Sequence, residues 1–251
     1  MYLIGDIGNT EVKICLFNSK KTLIKKITLK TNLITTNYLK KKLNFLNTNK
    51  KVVQKALFCS VVPKCYKKIK NFVKYRFKVK SIELKNLNLS KFIQIKANRN
   101  QVGSDRISNA IGIVDNKFNY IVVDFGTATT FDIIKKSKYI GGVISPGIQV
   151  SNNALSQSAS KLKTIKIKKN YNILGRNTEK AMQSGFYWGY VSLINGIISK
   201  IIKQKKFKPK IILTGGLANI FSKELKLNAI IDQNLTLNGL YHIGKINVKS
   251  K

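Results

Sequence analysis

The residues best suited to chemistry in this chain lie in one stretch, from Tyr120 to Ile134. An apolar, β-branched run predicts a buried strand with Asp124 at its end, and Gly126 and Thr127 follow it. Glycine lets a backbone turn tightly and approach a ligand, and threonine offers a hydroxyl beside its amide donor. A carboxylate next to such a loop can hold a cation against phosphate oxygens. An ordinary β-turn with polar residues fits the same stretch.

The same pattern occurs at the start of the chain. There an apolar strand leads to Asp6, and Gly8 and Thr10 precede a second strand from Glu11. Asp6 and Asp124 are 118 positions apart in 251 residues, so the repeat divides the sequence into near-equal halves. A duplicated strand–Asp-x-Gly–strand unit resembles the actin-like, sugar-kinase and Hsp70-like ATPases. The resemblance implies an α/β fold of two ribonuclease-H-like domains with a nucleotide cleft between them.

The elements that position the first motif follow from periodicity and from breaker residues. The predicted order is β-β-β-α-β-α-β, which is the order of a ribonuclease-H-like domain. The predicted strands span 2–8, 11–17, 22–29, 56–62 and 77–84, and the predicted helices span 34–46 and 64–75. Residues 87–97 give a weaker strand signal.

The second half repeats the strand pattern around its own motif. A helix is predicted to open near Gly103, and the domain boundary is predicted to follow it, so that the domains are 1–115 and 116–251. The further predicted strands span 120–124, 130–135, 138–145, 210–216 and 229–232, and the further helices span 148–160, 178–203 and 235–241.

The net charge of +37 raises the question of a nucleic-acid partner. Arginine supplies the bidentate and stacked contacts of such surfaces, but here 43 of the 47 basic residues are lysines, scattered through every segment. We therefore expect no specific nucleic-acid partner, although a lysine-rich nucleic-acid binder stays an alternative.

Compartment and membrane contact can also be inferred from composition. No apolar run approaches the roughly 20 residues that span a bilayer, and the first residues enter a strand without a signal-peptide pattern. Cys15, Cys59 and Cys65 follow no metal-ligand spacing. The expectation is a cytoplasmic protein with reduced thiols and no membrane partner.

Carboxylates are scarce, with ten in the chain, and four of them lie in or beside glycine-containing motifs. One is in Gly103-Ser-Asp-Arg106, which opens the predicted helix. Asp105 or a bound anion in the first turn would meet the positive end of the helix dipole. The alternative is plain capping by Ser104 with Arg106 in solvent.

Six segments together resemble the type III pantothenate kinases over essentially the whole chain. They are residues 6–13, Gly103–Arg106, Asp124–Thr130, Gly141–Gly147, Gly175–Thr178 and Leu213–Gly216. The resemblance implies ATP-dependent phosphorylation of pantothenate to 4'-phosphopantothenate, the first step of coenzyme A biosynthesis. The chain has no Walker A loop, so the two Asp-x-Gly loops must hold the phosphates.

The resemblance also implies a role for each matching position. The positions that match ATP contacts are Asp6, Ile7, Gly8, Asn9, Thr10, Glu11, Val12, Lys13 and Thr127, with Asp6 near Mg²⁺. Asp124 matches the ligand of a monovalent cation, K⁺ or NH₄⁺, and Asp105 matches the proton acceptor. The positions that match pantothenate contacts are Gly103, Ser104, Asp105, Arg106 and Thr178.

Thr178 matches a residue that the family supplies from a partner subunit, which implies a homodimer. The helix predicted from Thr178 carries Gly185, Gly189 and Gly196 among aromatic residues, so it is apolar on more than one face and needs cover on both. A catalytically silent regulator with an accessory role in transcription is the remaining alternative. The intact carboxylates Asp6, Asp105 and Asp124 argue against it.

Overall fold

The computed structural model describes residues 1–46 and 53–246, and these form two compact units. The first unit comprises residues 1–114, 137–139 and the stretch from Asn234 onward, and the second comprises residues 115–136 and 140–233. Within the described ranges, no helix combines the length and apolar character needed to cross a membrane.

The two units are built from eleven strands and seven helices among the described residues. The strands are β1 (Tyr2–Ile7), β2 (Glu11–Phe17), β3 (Leu23–Lys30), β4 (Lys55–Ser60), β5 (Ser81–Glu83), β6 (Gln94–Ile95), β7 (Asn119–Phe125), β8 (Ala128–Lys135), β9 (Lys138–Pro146), β10 (Pro209–Gly215) and β11 (Ala229–Ile231). The helices are α1 (Thr36–Lys42), α2 (Pro63–Phe77), α3 (Ser104–Ile113), α4 (Ile148–Ser158), α5 (Thr178–Lys205), α6 (Ala218–Phe221) and α7 (Leu235–Lys245).

The sheet of the first unit has the order β3-β2-β1-β4-β5. The first three strands form an antiparallel meander, and β4 and β5 add to it in parallel. In this register Asp6 near the end of β1 lies opposite Lys13 on β2 and Cys59 on β4. The two neighbouring strands therefore decide what surrounds the Asp6 carboxylate.

The sheet of the second unit repeats this topology. Its five strands have the order β9-β8-β7-β10-β11, in which β7 and β8 are antiparallel while β7, β10 and β11 are parallel. The two-residue strand β6 pairs in parallel with the outer edge of β9 and makes the sheet six-stranded. Asp124 on β7 lies opposite Thr130 on β8 and Thr214 on β10. The central strand of each sheet thus carries the motif aspartate, and the predicted pair of ribonuclease-H-like folds is confirmed.

Each unit has its own apolar core. In the first unit β1, β2 and β4 bury residues such as Ile7 and Phe58 against α2, and in the second unit β7 and β10 bury residues such as Val123 against α5. Each fully buried aliphatic or aromatic side chain of this kind stabilises the fold by about 1.5–3 kcal/mol. The cores hold the central strands rigidly, and those strands carry the motif aspartates.

The last described helix packs within the first unit. Ser108 on α3 donates to the backbone oxygen of Thr236 on α7 at 2.7 Å, and the Thr236 hydroxyl donates to Asn109 at 2.7 Å. The Tyr241 hydroxyl also donates to the backbone oxygen of Ser19 at 2.9 Å. The sequence-based boundary of 1–115 and 116–251 follows chain order, whereas these contacts group α7 with the first half of the chain.

Three predicted elements differ from those observed. The strand predicted at 77–84 is shortened to Ser81–Glu83, because α2 continues to Phe77 and ends where Lys78 adopts a left-handed conformation with φ 59°. The helix predicted at 34–46 is the shorter α1, capped by the Thr35 side chain, followed by a 3-10 turn. Of the strand signal at 87–97, only Gln94–Ile95 is a strand.

Candidate functional site

The first motif forms a closed loop between β1 and β2. The Gly8 amide donates to the backbone oxygen of Glu11 at 2.9 Å, which fixes the turn. Thr31, next to the end of β3, fastens the loop from the side, since its hydroxyl donates to Gly8 O at 2.8 Å and its amide to Thr10 O at 3.0 Å. Asn9, Thr10 and Glu11 are exposed, so this rigid loop presents polar groups to solvent.

Asp6 is half-buried beneath this loop and is bonded to the neighbouring parallel strand. The Cys59 thiol is fully buried and donates to Asp6 Oδ1 at 3.3 Å. Burial raises the pKa of the Cys59 thiol well above its ordinary value, and the negative charges of Asp6 and Asp105 raise it further. Cys59 is therefore a neutral donor. Asp6 and Asp105 lie close enough to act on the same thiol.

The start of α3 is fastened to the end of β4. Ser104 is fully buried, and its hydroxyl accepts from the Ser60 amide at 2.8 Å and donates to the Ser60 oxygen at 3.1 Å. The helix N-cap is Gly103, without a side-chain capping bond, so the alternative of plain capping by Ser104 is wrong. Asp105 lies in the first helical turn, half-buried, and its Oδ1 accepts from the Arg106 amide at 2.8 Å.

Strand β4 thus supports two motif aspartates of the first unit, Asp6 through Cys59 and Asp105 through Ser60 and Ser104. Sequence reasoning missed this connection. It also missed Glu83 at the end of β5, a carboxylate only 8% exposed. Burial raises the pKa of Glu83, and the bond that its Oε2 accepts from the Lys85 amide at 2.7 Å lowers it in part. The sequence offers one signal for Glu83, which is that the chain has only ten carboxylates.

The second motif forms an equivalent closed loop between β7 and β8. The Gly126 amide donates to Ala128 O at 3.1 Å, as the Gly8 amide does to Glu11 O in the first unit. The loop also contacts the residue before α4, where the Gly147 amide donates to Thr127 O at 3.0 Å. A side chain at position 147 has no room, because its Cβ would lie 2.2 Å from that oxygen. The Thr127 side chain is exposed.

Asp124 is half-buried at the end of β7, beside the glycine pair that ends β10. Gly215 has a φ of +86°, and a Cβ on it would lie 2.7 Å from Asp124 Oδ1. The Leu213–Gly216 segment therefore passes directly against this carboxylate. Within the second unit, Asp124, Thr127 and two further glycine segments of the sequence pattern come together.

Thr178 is the first residue of α5, and its side chain is exposed. Asn177 caps the helix by accepting from the Lys180 amide at 2.9 Å. The Ser184 hydroxyl bonds to the backbone oxygen of Ile173 and fastens the preceding segment along the helix. The segment from Ile173 to Thr178 is held against α5 by these bonds.

The donors of both loops suit phosphate, and the carboxylates suit a cation. Exposed amides and threonine hydroxyls are typical ligands of phosphate oxygens, and the half-buried Lys13 adds a point charge. Residues 1–46 and 53–246 contain no group of three or more His, Cys, Asp or Glu side chains that could hold a metal ion. A single half-buried carboxylate such as that of Asp6 is chemically suited to Mg²⁺, which proteins usually hold through one or two carboxylates plus the substrate's phosphates.

Comparison with known proteins gives one consistent result. A family model for type III pantothenate kinase matches residues 2–200. A curated Pelagibacter ubique (strain HTCC1062) protein of that name is 48% identical over 240 residues, which cover 96% of this chain and 97% of the relative.

Two solved structures extend the comparison. A Campylobacter jejuni protein, described as belonging to the Baf family of transcriptional activators, has a TM-score of 0.61 and 25% identity over 97% of each chain. A ROK family glucokinase from Streptomyces griseus covers 96% of this chain and 98% of its own, with a TM-score of 0.56. At 9% identity, the glucokinase indicates a shared fold alone.

Proposed function

Because this chain belongs to the type III pantothenate kinase family, we propose that it transfers the terminal phosphoryl group of ATP to the primary hydroxyl of pantothenate. The product is 4'-phosphopantothenate, and the reaction is the first step of coenzyme A biosynthesis. The observation that carries the proposal is the 48% identity over almost the whole chain, combined with the rigid support of the motif carboxylates by β4.

Asp105 is the proposed proton acceptor for the attacking hydroxyl. A carboxylate in the first turn of a helix is pre-positioned, and the backbone bond from Arg106 holds one of its oxygens. Phosphoryl transfer depends mainly on alignment and charge neutralisation, so a base fastened to a buried strand meets the main requirement. Gly103, Ser104 and Arg106 are the proposed pantothenate contacts beside it. Since the Ser104 hydroxyl is buried and bonded to Ser60, its contact would use the backbone.

The proposed ATP contacts are residues 6–13 and Thr127. In the first loop, the amides of Asn9 and Thr10 and the Thr10 hydroxyl would bind phosphate oxygens, and Lys13 would neutralise part of their charge. Asp6 would hold the Mg²⁺ that accompanies the nucleotide. When bound, that cation supplies charge neutralisation to the phosphates. Asp124 is the proposed ligand of a monovalent cation, K⁺ or NH₄⁺.

The proposed active unit is a homodimer formed through α5. Gly185, Gly189 and Gly196 are exposed, and a Cβ on any of them would meet nothing within 4 Å. The segment before the helix also exposes Ile173 by 64% and Leu174 by 83%. A two-fold contact buries such a small-residue face against its own copy. Thr178 at the start of α5 would then contact pantothenate bound to the partner subunit.

A coupled assay of ADP release over a panel of small hydroxyl compounds tests the reaction. We expect turnover with pantothenate and near-background rates with glucose, glycerol and pantetheine, and we expect loss of turnover in Asp105→Asn. Equal turnover of every hydroxyl compound, or ATP hydrolysis that ignores pantothenate, would refute the proposal. Phosphorus NMR of the product identifies the phosphorylated hydroxyl.

The alternative of a catalytically silent regulator is not favoured, because the sequence identity is to named kinases and all three motif carboxylates are present. We further propose that the enzyme acts in the cytoplasm, where ATP is available. The expectation that it has no specific nucleic-acid partner is tested by a gel shift, in which binding to DNA should disappear at moderate salt.

A further inference from the structure

The buried thiol of Cys59 contacts a motif carboxylate, that of Asp6. Its strand, β4, runs parallel to β1, and the register puts Cys59 directly opposite Asp6. The side chain is fully buried, and its sulfur lies 3.3 Å from Asp6 Oδ1. An ionised aspartate can only accept hydrogen bonds, so the thiol is the donor in this contact.

We propose that Cys59 is a positioning residue that fixes the Asp6 carboxylate for nucleotide binding. The inference rests on the proposed function, in which Asp6 lies at the ATP phosphates and their Mg²⁺. A carboxylate can turn about its own side-chain bonds, and a donor from a buried neighbouring strand holds one oxygen in place. Partners of this kind orient ligating groups, and their removal typically lowers affinity about 10- to 100-fold.

The second unit provides an independent observation. Its motif aspartate, Asp124, lies opposite Thr214 on the parallel strand β10, in the same relation that Asp6 has to Cys59. Thr214 is 2% exposed and also carries a side-chain hydrogen-bond donor. The two strands have different sequences around this position, yet both place a buried donor-bearing residue beside the aspartate. The repeat in register and burial agrees with a role of this position toward the carboxylate.

The chain offers a matched control in its other cysteines. Cys65 on α2 is 5% exposed and belongs to the apolar cluster that includes Ile69 and Phe72. Truncation of either cysteine to alanine removes the same atoms from a buried place. A difference between the two variants therefore reports the contact with Asp6, not the loss of volume.

The test is calorimetric titration with AMPPNP and Mg²⁺, which reads binding without turnover. Cys59→Ala should weaken the affinity about tenfold, and Cys59→Val, which fills the site with apolar atoms but has no donor, should weaken it at least as much. Cys59→Ser keeps a donor and should stay within about threefold of the wild type. Cys65→Ala should stay within about twofold. Cys59→Val keeps the test valid where Cys59→Ala does not fold.

Coupling to Asp6 is measured by a double-mutant cycle. In an Asp6→Ala background, Cys59→Ala should add less than about a twofold change, because the group that Cys59 positions is gone. The proposal is wrong if Cys59→Ala lowers the nucleotide affinity no more than Cys65→Ala does, or if Cys59→Ser lowers it as much as Cys59→Ala. It is also wrong if the losses of affinity caused by Asp6→Ala and Cys59→Ala multiply in the double variant.

The titration separates this proposal from the proposed reaction. A wild-type protein that binds the nucleotide but leaves pantothenate unphosphorylated would overturn the reaction alone, and the Cys59 comparison would still be read. A wild-type protein without measurable nucleotide affinity would overturn both.

Discussion

The substitution Gly147→Ala tests whether the β7–β8 loop must keep its present position. The new Cβ would lie 2.2 Å from Thr127 O and 2.6 Å from Gly126 O, whereas such atoms do not approach closer than 3.0 Å. The loop or the start of α4 must therefore move by at least about 0.8 Å. A misplacement of about 1 Å can lower the rate of a positioned reaction about 10²-fold. We expect kcat/KM for ATP to fall about 10- to 100-fold.

The cost in stability is expected to be smaller than the cost in activity. Overpacking of this kind costs about 1–3 kcal/mol, which for a chain of this size lowers Tm by about 2–12 °C. Steady-state kinetics with varied ATP at saturating pantothenate gives the activity, and calorimetric melting gives Tm.

The control is Gly244→Ala in α7, where a Cβ would meet the Tyr2 ring at 3.5 Å, an ordinary van der Waals contact. It should leave the KM for ATP unchanged and stabilise the helix by about 0.5–1 kcal/mol. A folded Gly147→Ala enzyme with kcat/KM for ATP within twofold of the wild type would show that the loop position does not matter.

Three further predictions concern the proposed roles. Asp105→Asn should lower turnover by about two to four orders of magnitude while titration shows unchanged ATP affinity, and near-normal turnover would exclude Asp105 as the base. Asp124→Ala should abolish activation in a K⁺ titration, and an unchanged titration places the cation elsewhere. Gly189→Arg should reduce the mass in light scattering from about twice 28.3 kDa to that of one chain, and Asp105→Asn mixed with Thr178→Ala should regain activity if each pocket uses both subunits.

The sequence predicted the fold because its signals are local. Apolar runs that end in Asp6 and Asp124 mark the central strands, and the β-β-β-α-β-α-β order of the first half fixes the class of domain. Its errors occurred where two signals competed. Residues 77–84 are apolar enough to predict a strand, but the amphipathic pattern of α2 extends to Phe77. The first residue of the predicted strand is therefore the last residue of the helix. No local signal assigns α7 to the first unit, since contacts between α3 and α7 join residues more than 120 positions apart.

The family motifs identify the functional carboxylates, but strand register determines which neighbouring groups position these carboxylates. Cys59 and Ser60 belong to an apolar run whose pattern predicts an ordinary buried strand. Nothing in the residues 58–62 predicts that Cys59 contacts Asp6 or that Ser60 contacts Ser104. A shift of β4 by one residue would turn Cys59 to the other face and end its contact with Asp6. At the observed register the buried Phe58 ring occupies the space beside Gly5 that a side chain there would fill. The apolar core therefore determines the geometry of the carboxylates, and substitutions in β4 that keep the core but change its register should be more damaging to nucleotide binding than to folding.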